Sequence, residues 1–179
     1  MKEAPLRQGR EKGKVNWEEK ARQALELALR AGGAEVEVYL SSSYALEIQI
    51  SQGAVESLIQ AEEVGVGLRA LREGGRVGFA YTTDLSAEGL SRVAAAAVEA
   101  ARAADPDPHQ SLPLPAPFEP LHLVDEELAY RGLEEKMDLA REIEAAALRF
   151  DPRVRRVRRA TYSESRYQVQ LLNSRGLQA

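Results

Sequence analysis

Between Gly33 and Thr83 apolar residues recur at every second position, and Gly-containing pairs interrupt the pattern where a chain would reverse. Val36, Val38 and Leu40 alternate with polar neighbours, and Leu46, Ile48 and Ile50 do the same ahead of Gln52-Gly53. With those two residues as the loop, Ser51 pairs with Ala54, Ile50 faces Val55 and Leu46 faces Ile59, so both strands put apolar groups on one face. Gly74-Gly75 is the stronger hairpin signal, because a type I′ turn needs positive φ at both central positions. Counting outward from it pairs Ala70 with Phe79, Leu68 with Tyr81 and Val66 with Thr83. The expected product is an antiparallel meander.

Helices flank these strands. Asn16 starts one, with Glu19 three positions on as an Asn version of the capping box; Trp17, Ala21, Ala24, Leu25 and Ala28 give its apolar stripe and Gly32-Gly33 ends it. Ser86 is the N-cap of a second helix running to about Ala104, whose alanines (Ala94 to Ala97, Ala100, Ala101) suit close packing on a sheet. Asp105-Pro106-Asp107-Pro108 stops it, and further prolines up to Pro120 make residues 105–124 an extended connector. A third helix spans Leu133 to Phe150, with a short turn ahead of it at Asp125 to Tyr130. Val154 to Ser163 and Tyr167 to Leu172 then read as a second strand pair, and Asn173-Ser174-Arg175-Gly176 is a turn signal that normally leads into another strand. Residues 1–14 carry Gly9 and Gly13 among charges without any period, and read as a disordered basic leader. The fold class expected is α+β: an antiparallel β meander packed with about three helices, ending in a second strand pair, with residues 15–179 as one domain.

Composition narrows the function. The 179 residues are 44% hydrophobic, enough for a core that buries roughly 70% of the unfolded surface. Cysteine is absent, which excludes disulfides and thiolate metal ligands. No stretch approaches the roughly 18 apolar residues of a membrane span, and no apolar segment follows the basic N-terminus as in a signal peptide, so the default location is cytoplasmic. A net charge of −4 argues against a nucleic-acid binder, although Arg153, Arg155, Arg156, Arg158 and Arg159 fall within seven positions.

Residues that could carry chemistry are few. His109 and His122 both lie in the Pro-rich connector, and two histidines on an extended segment do not make the three or four converging ligands of zinc. Ser41-Ser42-Ser43 and Thr82-Thr83 lack a nucleophile elbow and read as turn and cap residues. Gly65-Val66-Gly67 begins like a dinucleotide fingerprint but lies in a strand pattern with no helix after it; its glycines suit close approach of a backbone or a bulky side chain. Most carboxylates sit on solvated helix faces, such as Glu134, Glu135 and Glu142, and no pair suggests an acid beside a base. For Arg155, Arg156, Arg158 and Arg159 the options are phosphate contact, an acidic partner, or the favoured one, basic side chains protecting an exposed strand edge.

In order along the chain, Gly33-Ala34-Glu35-Val36-Glu37-Val38-Tyr39, Gly65-Val66-Gly67-Leu68-Arg69 and Gly78-Phe79-Ala80-Tyr81-Thr82-Thr83-Asp84-Leu85-Ser86 resemble the opening half of TldD/PmbA proteins, also called modulators of DNA gyrase. Asp105-Pro106-Asp107-Pro108, Glu142-Ile143-Glu144-Ala145-Ala146-Ala147-Leu148, Asp151-Pro152-Arg153-Val154 and Asn173-Ser174-Arg175-Gly176 continue the resemblance, which covers nearly everything from Trp17 onward. Asp84-Leu85-Ser86 and the D-P-D-P stop are more similar to the PmbA (TldE) branch. The resemblance implies a two-protein peptidase whose TldD-type subunit carries zinc on an H-E-x-x-x-H helix, acting in peptide-antibiotic maturation and turnover of small unfolded proteins. That motif belongs to the carboxy-terminal half of the family and does not occur here, so no catalytic or metal residue carries over and the chain is expected to be inactive alone.

Three functions follow, in this order. The first is a non-catalytic domain serving subunit assembly and peptide-substrate binding, as a homo-oligomer or with a TldD-type subunit that supplies the zinc. Its contacts to an unfolded peptide would use Gly65, Gly67, Arg69, Gly78, Tyr81 and Thr83, since an extended peptide adds to a strand edge. The second is a nucleic-acid or gyrase-associated regulator using the arginine cluster. The third is a stand-alone interaction module that oligomerises through an open sheet edge.

Overall fold

A computed structural model describes residues 16–119, 121, 123–125 and 127–179. The expected leader (1–14) and His122 lie outside the described residues. Among the described residues, three α-helices and four strands make up the α+β fold: α1 (Trp17–Arg30), β1 (Glu35–Ser51), β2 (Ala54–Arg72), β3 (Arg76–Thr82), α2 (Ala87–Ala103), α3 (Leu133–Phe150) and β4 (Ala160–Asn173). The strands form one sheet in the order β3-β2-β1-β4.

Local chemistry accounts for most boundaries. The Asn16 side chain accepts a hydrogen bond from Glu19 N at 3.2 Å, and Ser86 Oγ accepts one from Gly89 N at 3.1 Å, satisfying N–H groups that helix starts otherwise leave open. Ahead of α3, Asp125 Oδ1 accepts from Glu127 N and Leu128 N and sets a short 3-10 turn at Glu127–Ala129. Gln52 and Gly53 both have positive φ, as a two-residue hairpin loop demands, and Glu144 of α3 reinforces it by accepting from both backbone N–H groups at 2.7 Å.

Three expectations need correction. The β2–β3 loop holds three residues, Glu73, Gly74 and Gly75, so Leu68 pairs with Ala80 and Ala70 with Gly78, not with Tyr81 and Phe79. A one-residue slip exchanges the faces of a strand. Phe79 and Tyr81 therefore lie opposite Arg69 and Gly67 and are 68% and 83% exposed. Second, Ser41-Ser42-Ser43 are not turn residues but part of β1, which runs unbroken through both of its apolar segments. Third, the C-terminal strand pair is one strand, β4, and residues 154–159 are irregular. Val154 and Val157 are three positions apart and would fall on opposite faces of a strand, so that segment has no apolar side to bury. Ser163 to Arg166 reads as a break, yet Glu164 is buried and paired, which lets the strand continue.

The structure divides into two compact units. One holds the described residues through Leu40 with Gly65–Ala116 and Val169–Ala179; the other holds Ser41–Val64 and Pro117–Gln168. In the first, Val36, Val38 and Leu40 of β1 and Val66, Leu68 and Ala70 of β2 meet Ala21, Ala24 and Ala28 of α1 and Leu90, Val93, Ala97 and Val98 of α2. Small residues let the elements approach closely: a Cβ on Gly78 would lie 2.2 Å from Ala97 O and Ala101 N of α2. Asn173, buried at the end of β4, accepts from Arg175 N and Leu177 N and donates to Pro113 O, closing the expected turn; Leu172 and Gln178 then bridge antiparallel. In the second unit Leu46, Ile48 and Ile50 of β1 pack with Ala140 of α3 and Ala160 of β4, while Val55 and Ile59 of β2 stay exposed at 39% and 55%. The apolar face expected on both strands of this hairpin is thus covered on β1 only.

Candidate functional site

The corrected register gives the first unit an open, partly apolar face. Positions two apart on three neighbouring strands, Glu37 and Tyr39 on β1, Gly67 and Arg69 on β2, Phe79 and Tyr81 on β3, line a groove of about 270 Å³. Arg69 and Glu37 form an ion pair at 3.1 Å, with side chains 27% and 15% exposed. Such a half-sheltered pair fixes the guanidinium in place. Arg69 Nε is buried without a hydrogen-bond partner. A Cβ on Gly67 would sit at ordinary contact, 3.8 Å from Tyr39 O, so no close approach within this chain demands glycine there; its missing side chain leaves the groove floor open. The arrangement offers three aromatic rings, Tyr39, Phe79 and Tyr81, and a fixed cation, and it extends to β3, the terminal strand of the sheet. These are the elements for holding an extended chain, and they include no nucleophile–base pair.

Of the residues singled out from sequence, Gly67, Arg69 and Tyr81 come together here. Gly65 lies under Thr82 O, and Thr83 is exposed just past the end of β3. Gly78 belongs to the opposite face, against α2. Glu37, Tyr39 and Phe79 were missed, because a two-residue loop assigns Phe79 to the core side. Their two-residue spacing was the available signal.

The second unit holds a buried polar cluster. Lys136 of α3 and Glu164 of β4 pair at 2.8 Å with side chains only 8% and 3% exposed, and Tyr162 Oη donates to Glu164 at 2.6 Å. Burial alone would raise the Glu164 carboxyl, but hydrogen bonds from Lys136 and Tyr162 and the charges of Lys136 and Arg166 hold it below its ordinary value. Burial, followed by the hydrogen bond to Glu164, pushes the Tyr162 hydroxyl up to about 12. Asp84, Asp107 and Asp151 are also held low, by hydrogen bonds from Ser86, Gln110 and Arg153 in turn. Each displaced carboxylate is thus kept ionised, the opposite of a general acid. Arg155, Arg156, Arg158 and Arg159 are exposed in the segment between α3 and β4. His109 is an exposed loop residue. Among the described residues no three His, Asp or Glu side chains converge as a metal would require, so the donors present do not fit zinc. Among them, too, no helix is long and apolar enough to cross a membrane.

Two family models match this chain in sequence. The first domain of the PmbA/TldA metallopeptidases covers residues 36–101, and their central domain covers residues 126–179. The chain belongs to the PmbA/TldD family. Solved structures of similar fold include a candidate modulator of DNA gyrase from Bacteroides thetaiotaomicron, 24% identical over 90% of this chain with a TM-score of 0.79. A second candidate modulator, from Thermotoga maritima, is 18% identical over 90% at a TM-score of 0.74, and TldE from Thermococcus kodakarensis is 20% identical over 89% at 0.68. This PmbA/TldD-family chain spans 37%, 36% and 36% of those three chains. No curated protein matches it. The groove and the β2–β3 hairpin fall within the match to the first domain, and the Lys136–Glu164 pair within the match to the central one.

Proposed function

We infer that this part of a PmbA/TldD-family metallopeptidase binds an extended peptide and a partner subunit and does not itself cut. The observation that carries the reading is the groove beside β3, where Phe79 and Tyr81 are largely exposed next to a fixed Arg69. Burying an aromatic ring of this kind stabilises a complex by about 1.5–3 kcal/mol, and a terminal strand offers backbone groups to an added one. On this reading the partner is a TldD-type subunit that supplies zinc and proteolysis, the assembly is cytoplasmic, and the chain stands on the PmbA (TldE) side, as Asp84-Leu85-Ser86 and Asp105-Pro106-Asp107-Pro108 suggest.

Fluorescence anisotropy with a labelled, uncharged unfolded peptide tests it. Replacing Phe79 and Tyr81 together by Ser should weaken binding on the order of tenfold, with an unchanged melting temperature. Equal affinity of the parent and the double variant, or no binding by either, would defeat the peptide reading.

A further inference from the structure

Residues 151–159 connect α3 to β4 through Asp151-Pro152-Arg153-Val154-Arg155-Arg156-Val157-Arg158-Arg159. The first turn is built by its own side chains. Asp151 Oδ1 accepts from Arg153 N at 2.8 Å, Arg153 folds back onto the Asp151 carboxylate at 2.8 Å, and Val154 N donates to Asp151 O at 2.9 Å. Beyond it Arg155, Arg156, Arg158 and Arg159 are exposed, and among the described residues none of the four has an ion-pair partner. Five arginines elsewhere, Arg22, Arg30, Arg92, Arg131 and Arg141, each hold a carboxylate. A strand-edge role for the four does not hold, because β4 begins only at Ala160. Four permanent cations kept side by side without counter-charge repel one another, so an anionic partner gains from all of them at once.

We propose that Arg155, Arg156, Arg158 and Arg159 form a docking surface for an extended, Asp/Glu-rich polypeptide segment, distinct from the groove beside β3. Carboxylates suit the guanidinium fork, which binds them through two parallel hydrogen bonds. The segment leads directly into β4, the last strand in the sheet order, so a partner lying along it meets a strand edge next. A polypeptide is favoured over a nucleic acid because the chain is acidic overall, at −4, and a long polyphosphate would meet that charge along its whole length.

The test uses the whole chain, a labelled poly-glutamate peptide of about fifteen residues and a single-stranded oligonucleotide of equal charge as competitor. Poly-glutamate should bind, and binding should weaken as salt rises. Replacing all four arginines by Ser should weaken it on the order of tenfold or more while leaving the uncharged peptide's affinity for the groove unchanged. A milder Arg155→Ser/Arg158→Ser variant should lie between, which guards against a fold defect in the fourfold one. Parent-like binding of poly-glutamate by both variants overturns the proposal, as does no binding by the parent chain. An oligonucleotide that binds as tightly as poly-glutamate, or tighter, overturns it in favour of nucleic acid. Loss of uncharged-peptide binding by the Phe79/Tyr81 variant alone concerns the groove and leaves this surface untouched.

Discussion

Glu164 shows how much one residue can hide. In the sequence it is an acid among Ser163, Ser165 and Arg166; in the structure it is a buried carboxylate with Lys136 and Tyr162 as donors. Removing one partner strands a charge in the interior, so Glu164→Ala or Lys136→Ala should each cost about 3–5 kcal/mol in a urea titration. Tyr162→Phe, which removes one hydrogen bond to a charged group, should cost about 1.5–3 kcal/mol. The pH dependence has two arms. Glu164 has a lowered folded pKa, so its contribution is present above the ordinary carboxylate value and is lost as pH falls through the lower folded one. Tyr162 has a raised one, so its contribution is complete below 10.0 and is lost as pH climbs toward about 12. Thermal melts of Tyr162→Phe should therefore lack the alkaline arm. A melting curve that keeps it would assign that arm to another group. Glu144, which caps two N–H groups of the β1–β2 loop, is the second such acid; Glu144→Ala should cost about 1–3 kcal/mol by the same titration.

Elements were legible where a local rule fixes them. Asn16 and Ser86 announce their helices, Gln52-Gly53 announces its loop, and all three act as expected. The β2–β3 loop was not legible, because Gly74-Gly75 suits a two-residue turn as well as the end of a three-residue one. Tertiary packing decides: a Cβ on Gly75 would come within 1.8 Å of Asp107 O, and only glycine at 78 fits under α2, which sets Phe79 outward. Half of the candidate groove was named from sequence because glycines and an arginine in a strand stand out; Phe79 depended on that register, whereas the outward face of Tyr39 already followed from the alternation of Val36, Val38 and Leu40. Gly78→Ala should lose about 1–3 kcal/mol by chemical denaturation through overpacking against Ala97 and Ala101, whereas a mobile helix that yields would show almost no loss.

At the scale of the whole molecule, the resemblance carried by short ordered motifs and the two family matches agree, and the fold is shared with proteins more than twice as long. What a PmbA/TldD-family chain of this extent contributes is binding on our account: the carboxylates whose titration is displaced are held ionised, while aromatic and arginine side chains stand open. Phe79 and Tyr81 remain exposed although they cost solubility, which a binding role explains. The measurement that tests this most directly is an NMR titration of the labelled chain with an uncharged, unfolded peptide. Backbone and ring signals of Tyr39, Gly67, Arg69, Phe79 and Tyr81 should shift together and saturate, while those of Tyr130 and Tyr167 in the other unit hold still. Shifts confined to other residues, or none at peptide excess, would contradict the account.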